Sequence, residues 1–195
     1  MTPAPELAEI AYALDGVLLI DEAYVDFVDP GRGYDSLALL GEFDNVLVLR
    51  TLSKGYSLAG LRFGYGIGSE KLIQALHKVR DSYNLDAIAQ AAATAALESR
   101  DAAAQSWAAV RGERERLATQ LAALGLSVPA SETNFLLVQD PGSASMQDVY
   151  LGLKARGILV RWFDQPRLRD RLRITVGTVQ QNDALLRELG PLLHR

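Results

Sequence analysis

Two polar clusters stand directly behind apolar runs. Asp21-Glu22-Ala23-Tyr24 follows Val17-Leu18-Leu19-Ile20, and Arg50-Thr51-Leu52-Ser53-Lys54 follows Val46-Leu47-Val48-Leu49. If the runs are strands of one open α/β sheet, both clusters lie at its carboxyl edge, where such sheets bind ligands. An acid, Asp21, and an amine in the Ser53-Lys54 pair then meet in one crevice. Taken as a random Asp and Lys, they form an ordinary ion pair; taken as a site, they bring an acid and a nucleophilic amine to one place. Lysine is scarce in this chain, confined to Lys54, Lys71, Lys78 and Lys154 among twenty basic residues, so Lys54 stands out.

The elements that must position these groups are readable from periodicity. Leu7, Ile10, Ala11 and Leu14 recur at helical spacing over Glu6–Leu14, and Gly16 follows as a stop. The two apolar runs read as short strands covered on both faces, the character of a parallel sheet. The loop between them carries Pro30, Gly31 and Gly33. In Phe63-Gly64-Tyr65-Gly66-Ile67-Gly68, glycine alternates with larger residues, as in a strand that another backbone or a ligand approaches closely. Helices are expected over Glu70–Arg80 and Ala87–Leu124, the latter broken near Ser99–Asp101. The tail then alternates: strand Asn134–Val138, helix Met146–Arg156, strands Ile158–Phe163 and Leu172–Val176, helix Gln181–Leu193.

Composition narrows the function classes. The chain has 195 residues, 49% hydrophobic, enough for one medium or two small cored domains. A formal charge of -4 provides no bulk positive field for nucleic acid or anionic lipid. Without cysteine there is no disulfide framework, zinc–thiolate site or thiol nucleophile, and His77 and His194 alone cannot build a His-rich metal site. No run reaches the roughly 18 apolar residues of a membrane span, and the acidic N-terminus lacks a signal pattern, so a cytoplasmic setting is the expectation.

The wording of the motifs adds a resemblance. Asp21-Glu22-Ala23-Tyr24, Thr51-Leu52-Ser53-Lys54 and Gly60-Leu61-Arg62 resemble the cofactor-binding core of fold-type I pyridoxal-phosphate aminotransferases. Asp21 to Phe27, Tyr83-Asn84-Leu85, Thr133-Asn134-Phe135 and Leu172 to Thr178 resemble the histidinol-phosphate aminotransferases along essentially the whole chain. Ser82 stands where that family often has a proline before Tyr-Asn.

The resemblance implies an α/β fold: the C-terminal part of the large domain, with a partial, mostly parallel sheet, over 1–86; a connecting helical region over 87–125; and a small α+β domain over 126–195. It implies pyridoxal phosphate as cofactor. Lys54 would form the Schiff base and shuttle the proton between the substrate α-carbon and the cofactor. Asp21, as a buried carboxylate needing a cationic partner, would keep the pyridine nitrogen protonated. Tyr24 would donate to the ring oxygen. Ser53 and Arg62, with Thr51 as a weaker candidate, would hold the cofactor phosphate. Arg173 would receive the anionic end of histidinol phosphate or glutamate, and Arg161 could add charge for the phosphate. Arg167, Arg169 and Arg171 read as a solvated face, and Trp107 and Trp162 as packing.

The reaction implied is amino transfer between histidinol phosphate and 2-oxoglutarate, in a homodimer. Related pyridoxal-phosphate enzymes, such as threonine-phosphate decarboxylases and aromatic aminotransferases, share the same motifs. From another class, the motifs also suit a non-catalytic chain that only folds or dimerises. The resemblance begins well inside the family's sequence. The expectation is therefore a chain without the N-terminal half of the large domain, its open sheet edge completed by self-association or by another polypeptide.

Overall fold

The computed structural model describes residues 1–142 and 144–193; His194, set aside above as a metal ligand, lies outside them. The chain divides into two compact units, Met1–Trp107 and the residues from Ala108 on, each described in turn.

The first unit opens with helix α1 (Ala4–Ala13), which leads into β1 (Leu18–Asp21). Three 3-10 turns over Val25–Phe27, Pro30–Arg32 and Leu37–Gly41 precede β2 (Val46–Thr51). Then come β3 (Gly64–Gly68), α2 (Glu70–Val79), α3 (Ala87–Glu98) and the start of α4 (Arg100–Ala123). The break between the last two falls at Ser99, where the sequence places it.

The sheet runs β1-β2-β3. β1 and β2 are parallel, with Leu18 opposite Val46 and Asp21 opposite Leu49. A parallel pair needs a long crossover, which the turn-rich segment after Asp21 supplies. Its consequence for function is that both strands end at the same edge. β3 returns antiparallel to β2, pairing Leu47 with Gly68 and Thr51 with Gly64. The glycine alternation has its cause here: a Cβ on Gly64 would lie 3.0 Å from the Arg50 carbonyl, and one on Gly68 3.1 Å from that of Val46. It is the backbone of β2 that approaches.

The core of this unit gathers Leu7, Ala11, Ile20, Leu39, Val46 and Val48. β1 departs from expectation. Ile20 is buried, but Val17 and Leu19 are 48% and 53% exposed, so β1 is covered on one face rather than two. Alternation along a strand sends successive side chains to opposite faces, and only the Ile20 face meets this core.

In the second unit, the sheet runs β4-β6-β5, from β4 (Phe135–Gln139), β6 (Arg171–Thr175) and β5 (Arg161–Trp162), all antiparallel. The strand expected over Ile158–Phe163 is thus a two-residue pairing. Helices α5 (Met146–Ala155) and α6 (Val179–Leu193), with the later turns of α4, close a core of Leu117, Leu121, Leu136, Val138, Leu153, Leu172, Ile174 and Leu189.

A polar tie joins α4 to α6. Arg116 donates to Glu113 at 3.0 Å and to Asp183 at 2.8 Å, while buried Asn182 donates to Glu113 at 2.8 Å. These donors, Arg116 first and then Asn182, hold the Glu113 carboxyl below its ordinary value of 4.5. A depressed folded-state pKa contributes stability that is present above pH 4.5 and lost as pH falls through the folded-state value. Glu113→Gln is therefore expected to melt earlier than the parent at pH 6, with the gap closing on acidification in a thermal-melt series. A gap that persists unchanged at pH 3 would contradict this origin.

Candidate functional site

The parallel pairing of β1 and β2 brings the two polar clusters to one edge. At the end of β1, alternation decides which acid faces inward. Ile20 points into the core, so Asp21 points away and is exposed, and Glu22 turns inward and is 6% exposed. This corrects the expectation of a buried Asp21. Asp21 Oδ1 accepts from the Ala23 N–H at 3.0 Å, a local turn that orients the carboxylate. The Glu22 N–H adds one more rung to the ladder, donating to the Leu49 carbonyl at 2.8 Å.

The Glu22 carboxylate is fully engaged. It accepts from the buried Ser36 hydroxyl and, at 2.8 Å, from Arg50 Nε. Burial also pushes the Tyr34 phenol up beside it. This group pins the ends of β1 and β2 to each other. The sequence reading missed Glu22 and Arg50; the signal was the two-residue offset from Ile20. Nearby, burial pushes the Asp26 carboxyl up, against the opposing pull of Arg50 and Arg100.

Lys54 sits in the turn after β2. Its backbone is set by two turn bonds, from the Ser57 N–H to the Lys54 carbonyl and from the Leu58 N–H to the Leu52 carbonyl, both 3.1 Å. Its Nζ lies 5.7 Å from the centroid of the Tyr24 ring, so the structure brings these two predicted residues together. Among the described residues, neither Asp21 nor Lys54 forms an ion pair. An acid and an amine at one sheet edge, not spent on salt bridges, remain available for a third group.

The remaining donors are arranged in the same loop. The Thr51 hydroxyl lies 2.9 Å from Ser53 Oγ and 3.0 Å from the Phe63 carbonyl, and it accepts from the Ser53 N–H at 3.1 Å. Thr51 thus serves to shape the loop. Arg62 is exposed and donates once, from Nη1 to the Ala59 carbonyl at 3.0 Å. Ser57 and Arg62 both take left-handed backbone conformations with φ of 57°, which a side chain makes costly. Such strain gathers at functional loops.

In the second unit, strand register places Arg161 directly opposite Arg173. The Arg173 guanidinium lies 5.4 Å from the Phe135 ring and 5.7 Å from the Phe163 ring, with Arg161 5.3 Å from Phe163. Among the described residues, neither arginine has a carboxylate partner. Like charges directly across a strand pair are destabilising, so this is an arrangement that gains from an anion. Arg169, by contrast, pairs with Asp164 at 2.7 Å on the exposed surface, as expected of a solvated face. Trp162 donates to the Arg169 carbonyl at 2.8 Å, holding that loop.

Known proteins resemble the chain throughout. A histidinol-phosphate aminotransferase of Nostoc sp. is 48% identical over 193 residues, which cover 99% of this chain and 53% of that protein. One from Microcystis aeruginosa is 48% identical over 178 residues, 91% of this chain and 50% of its own length. The crystal structure of histidinol-phosphate aminotransferase from Sinorhizobium meliloti, in complex with pyridoxal-5'-phosphate, superposes with a TM-score of 0.88 at 29% identity, covering 99% of this chain and 53% of that one. The chain spans about half the length of the curated relatives it matches. The sequence model of aminotransferase class I and II matches residues 1–189, which places the chain in that family.

Proposed function

We propose that this chain carries the cofactor-anchoring and anion-binding residues of a histidinol-phosphate aminotransferase, which moves an amino group between histidinol phosphate and 2-oxoglutarate with pyridoxal phosphate. The observation that carries the reading is the pair of unspent charges, Asp21 and Lys54, at the shared end of two parallel strands. The donor set fits the cofactor: a carboxylate for a protonated ring nitrogen, an amine for an aldehyde, and a serine and an arginine for a phosphate. When bound, pyridoxal phosphate supplies an electron sink that stabilises negative charge at the substrate α-carbon.

The chain's own residues do the rest. Lys54 anchors the cofactor covalently and then carries the proton at the substrate α-carbon. Asp21 holds the ring-nitrogen proton in place, and its turn with Ala23 keeps the carboxylate aimed. Tyr24, beside the amine, donates to the ring oxygen. Ser53 and Arg62 hold the phosphate, and Arg173 with Arg161 takes the anionic end of the substrate. The reading also makes the protein a homodimer. Val79, Tyr83 and Ile88, apolar and largely exposed, support self-association.

Incubation with pyridoxal phosphate followed by borohydride is expected to leave one stable adduct, mapped to Lys54, with Lys71, Lys78 and Lys154 unlabelled. The loaded protein should then form glutamate from histidinol phosphate and 2-oxoglutarate, and sediment as a dimer of the 21.2 kDa chain. Labelling spread evenly over the lysines would overturn the cofactor assignment. A Lys54 adduct with transfer only from a different amine would overturn the substrate.

A further inference from the structure

The geometry points to Trp107 as a positioning residue for Lys54, holding from α4 the peptide that follows the reactive amine. The inference rests on the cofactor reading above for what the amine does, but the brace itself is independent of it. Trp107 is 6% exposed, and its indole N–H donates to the carbonyl of Gly55, the residue after Lys54, at 2.6 Å. The two residues are far apart in sequence, so the bond closes a long loop onto the turn that carries the amine. Gly55 is itself buried, and its other side is taken: a Cβ there would collide with the side chain of Asp26. The next residue joins in, the Tyr56 ring meeting Trp107 edge-on with centroids 5.4 Å apart and planes at 79°. Arg100, one helical stretch earlier on α4, lies 5.7 Å from the same indole.

The peptide after Lys54 is thus gripped on two sides, by an indole donor and by the Asp26 side chain. A buried carbonyl that loses the one donor it has among the described residues is left unsatisfied, so the turn would shift to find another. The Lys54 Cα–Cβ bond leaves the chain one residue earlier and would swing with it. Proton transfer and bond formation at an amine depend steeply on such placement. Packing alone would need a large apolar ring at position 107; the indole N–H aimed at this one carbonyl is what packing does not require.

The test uses Trp107→Phe, which keeps a ring and removes the donor. A second variant carries 3-benzothienylalanine, which keeps the bicyclic shape and replaces N–H by sulfur, so that a folding defect in the first cannot hide the answer. Two readouts are taken, amide hydrogen exchange across 52–58 without cofactor, and the rate of Lys54 capture by pyridoxal phosphate under borohydride. Faster exchange in 52–58, with exchange in 46–49 unchanged, and capture slowed by roughly tenfold in both variants are expected. Unchanged exchange, or faster exchange with an unchanged capture rate, overturns the positioning role. Failure of the parent protein to label Lys54 at all would instead overturn the cofactor reading, a result visible before either variant is made.

Discussion

Lys54→Ala is expected to abolish covalent capture of pyridoxal phosphate and to lower amino transfer by at least about 10³-fold, while leaving the fold intact. The loss is large because, on the proposed function, one amine would do two things, bond to the cofactor and move a proton; positioned acid–base groups alone contribute about 10²–10⁴-fold. The fold survives because the turn does not depend on that side chain. It is held by backbone bonds from Ser57 and Leu58 and by the Trp107 donor to Gly55. The interaction lost is an amine–ring contact with Tyr24, worth about 0.5–2 kcal/mol at a half-buried site. Lys54→Arg separates charge from nucleophilicity: a guanidinium keeps the cation, stays protonated, and cannot form the bond. It should therefore be as inactive as the alanine variant, with a melting temperature like that of the parent. Borohydride labelling, peptide mapping and a thermal melt decide the matter together. Residual transfer within tenfold of the parent in either variant would remove Lys54 from the chemistry.

The strands and their polar ends were legible because both signals are local. Four-residue apolar runs ending in charged clusters mark short strands, and the order of the runs places Asp21 and Lys54 at the same edge once the pair is parallel. The glycine alternation of β3 likewise announced a close approach, and the structure shows that β2 is what approaches. What stayed hidden depended on partners distant in sequence. Val17-Leu18-Leu19-Ile20 reads as buried on both faces, but whether Leu19 is covered depends on what packs there, which the run itself does not encode. The exchange of burial between Asp21 and Glu22 follows from Ile20 facing inward, a choice made by packing against α1 and β2. Trp107 reads as a packing residue because nothing near it in sequence reveals a carbonyl at Gly55 waiting for its N–H.

Arg161 and Arg173 carry the second large effect. Strand register sets the two guanidiniums opposite each other, beside phenyl rings and with no acid partner among the described residues, an arrangement that supports the proposed anion site. In such a pair, function and stability pull in opposite directions. On the proposed function, Arg173→Gln would remove a forked, charge-assisted contact to the substrate anion and is expected to raise KM for histidinol phosphate by about 100-fold, since losing one partner of such a pair costs about 2–5 kcal/mol. The same change relieves repulsion with Arg161, so the melting temperature should hold or rise slightly, the lost ring contacts offsetting part of the gain. Arg161→Gln, on the exposed strand, should raise KM by about tenfold with the same stability signature. The discriminating substrate is histidinol without its phosphate, followed in the first half-reaction with no 2-oxoglutarate present, for which both variants should behave nearly as the parent does. If KM instead rises equally for the two amines, or if the variants melt far below the parent, the arginines are holding the sheet together and the anion is bound elsewhere. Salt gives an independent check, because a dianion held by two guanidiniums loses affinity steeply with ionic strength, and the slope should fall when either arginine is neutralised.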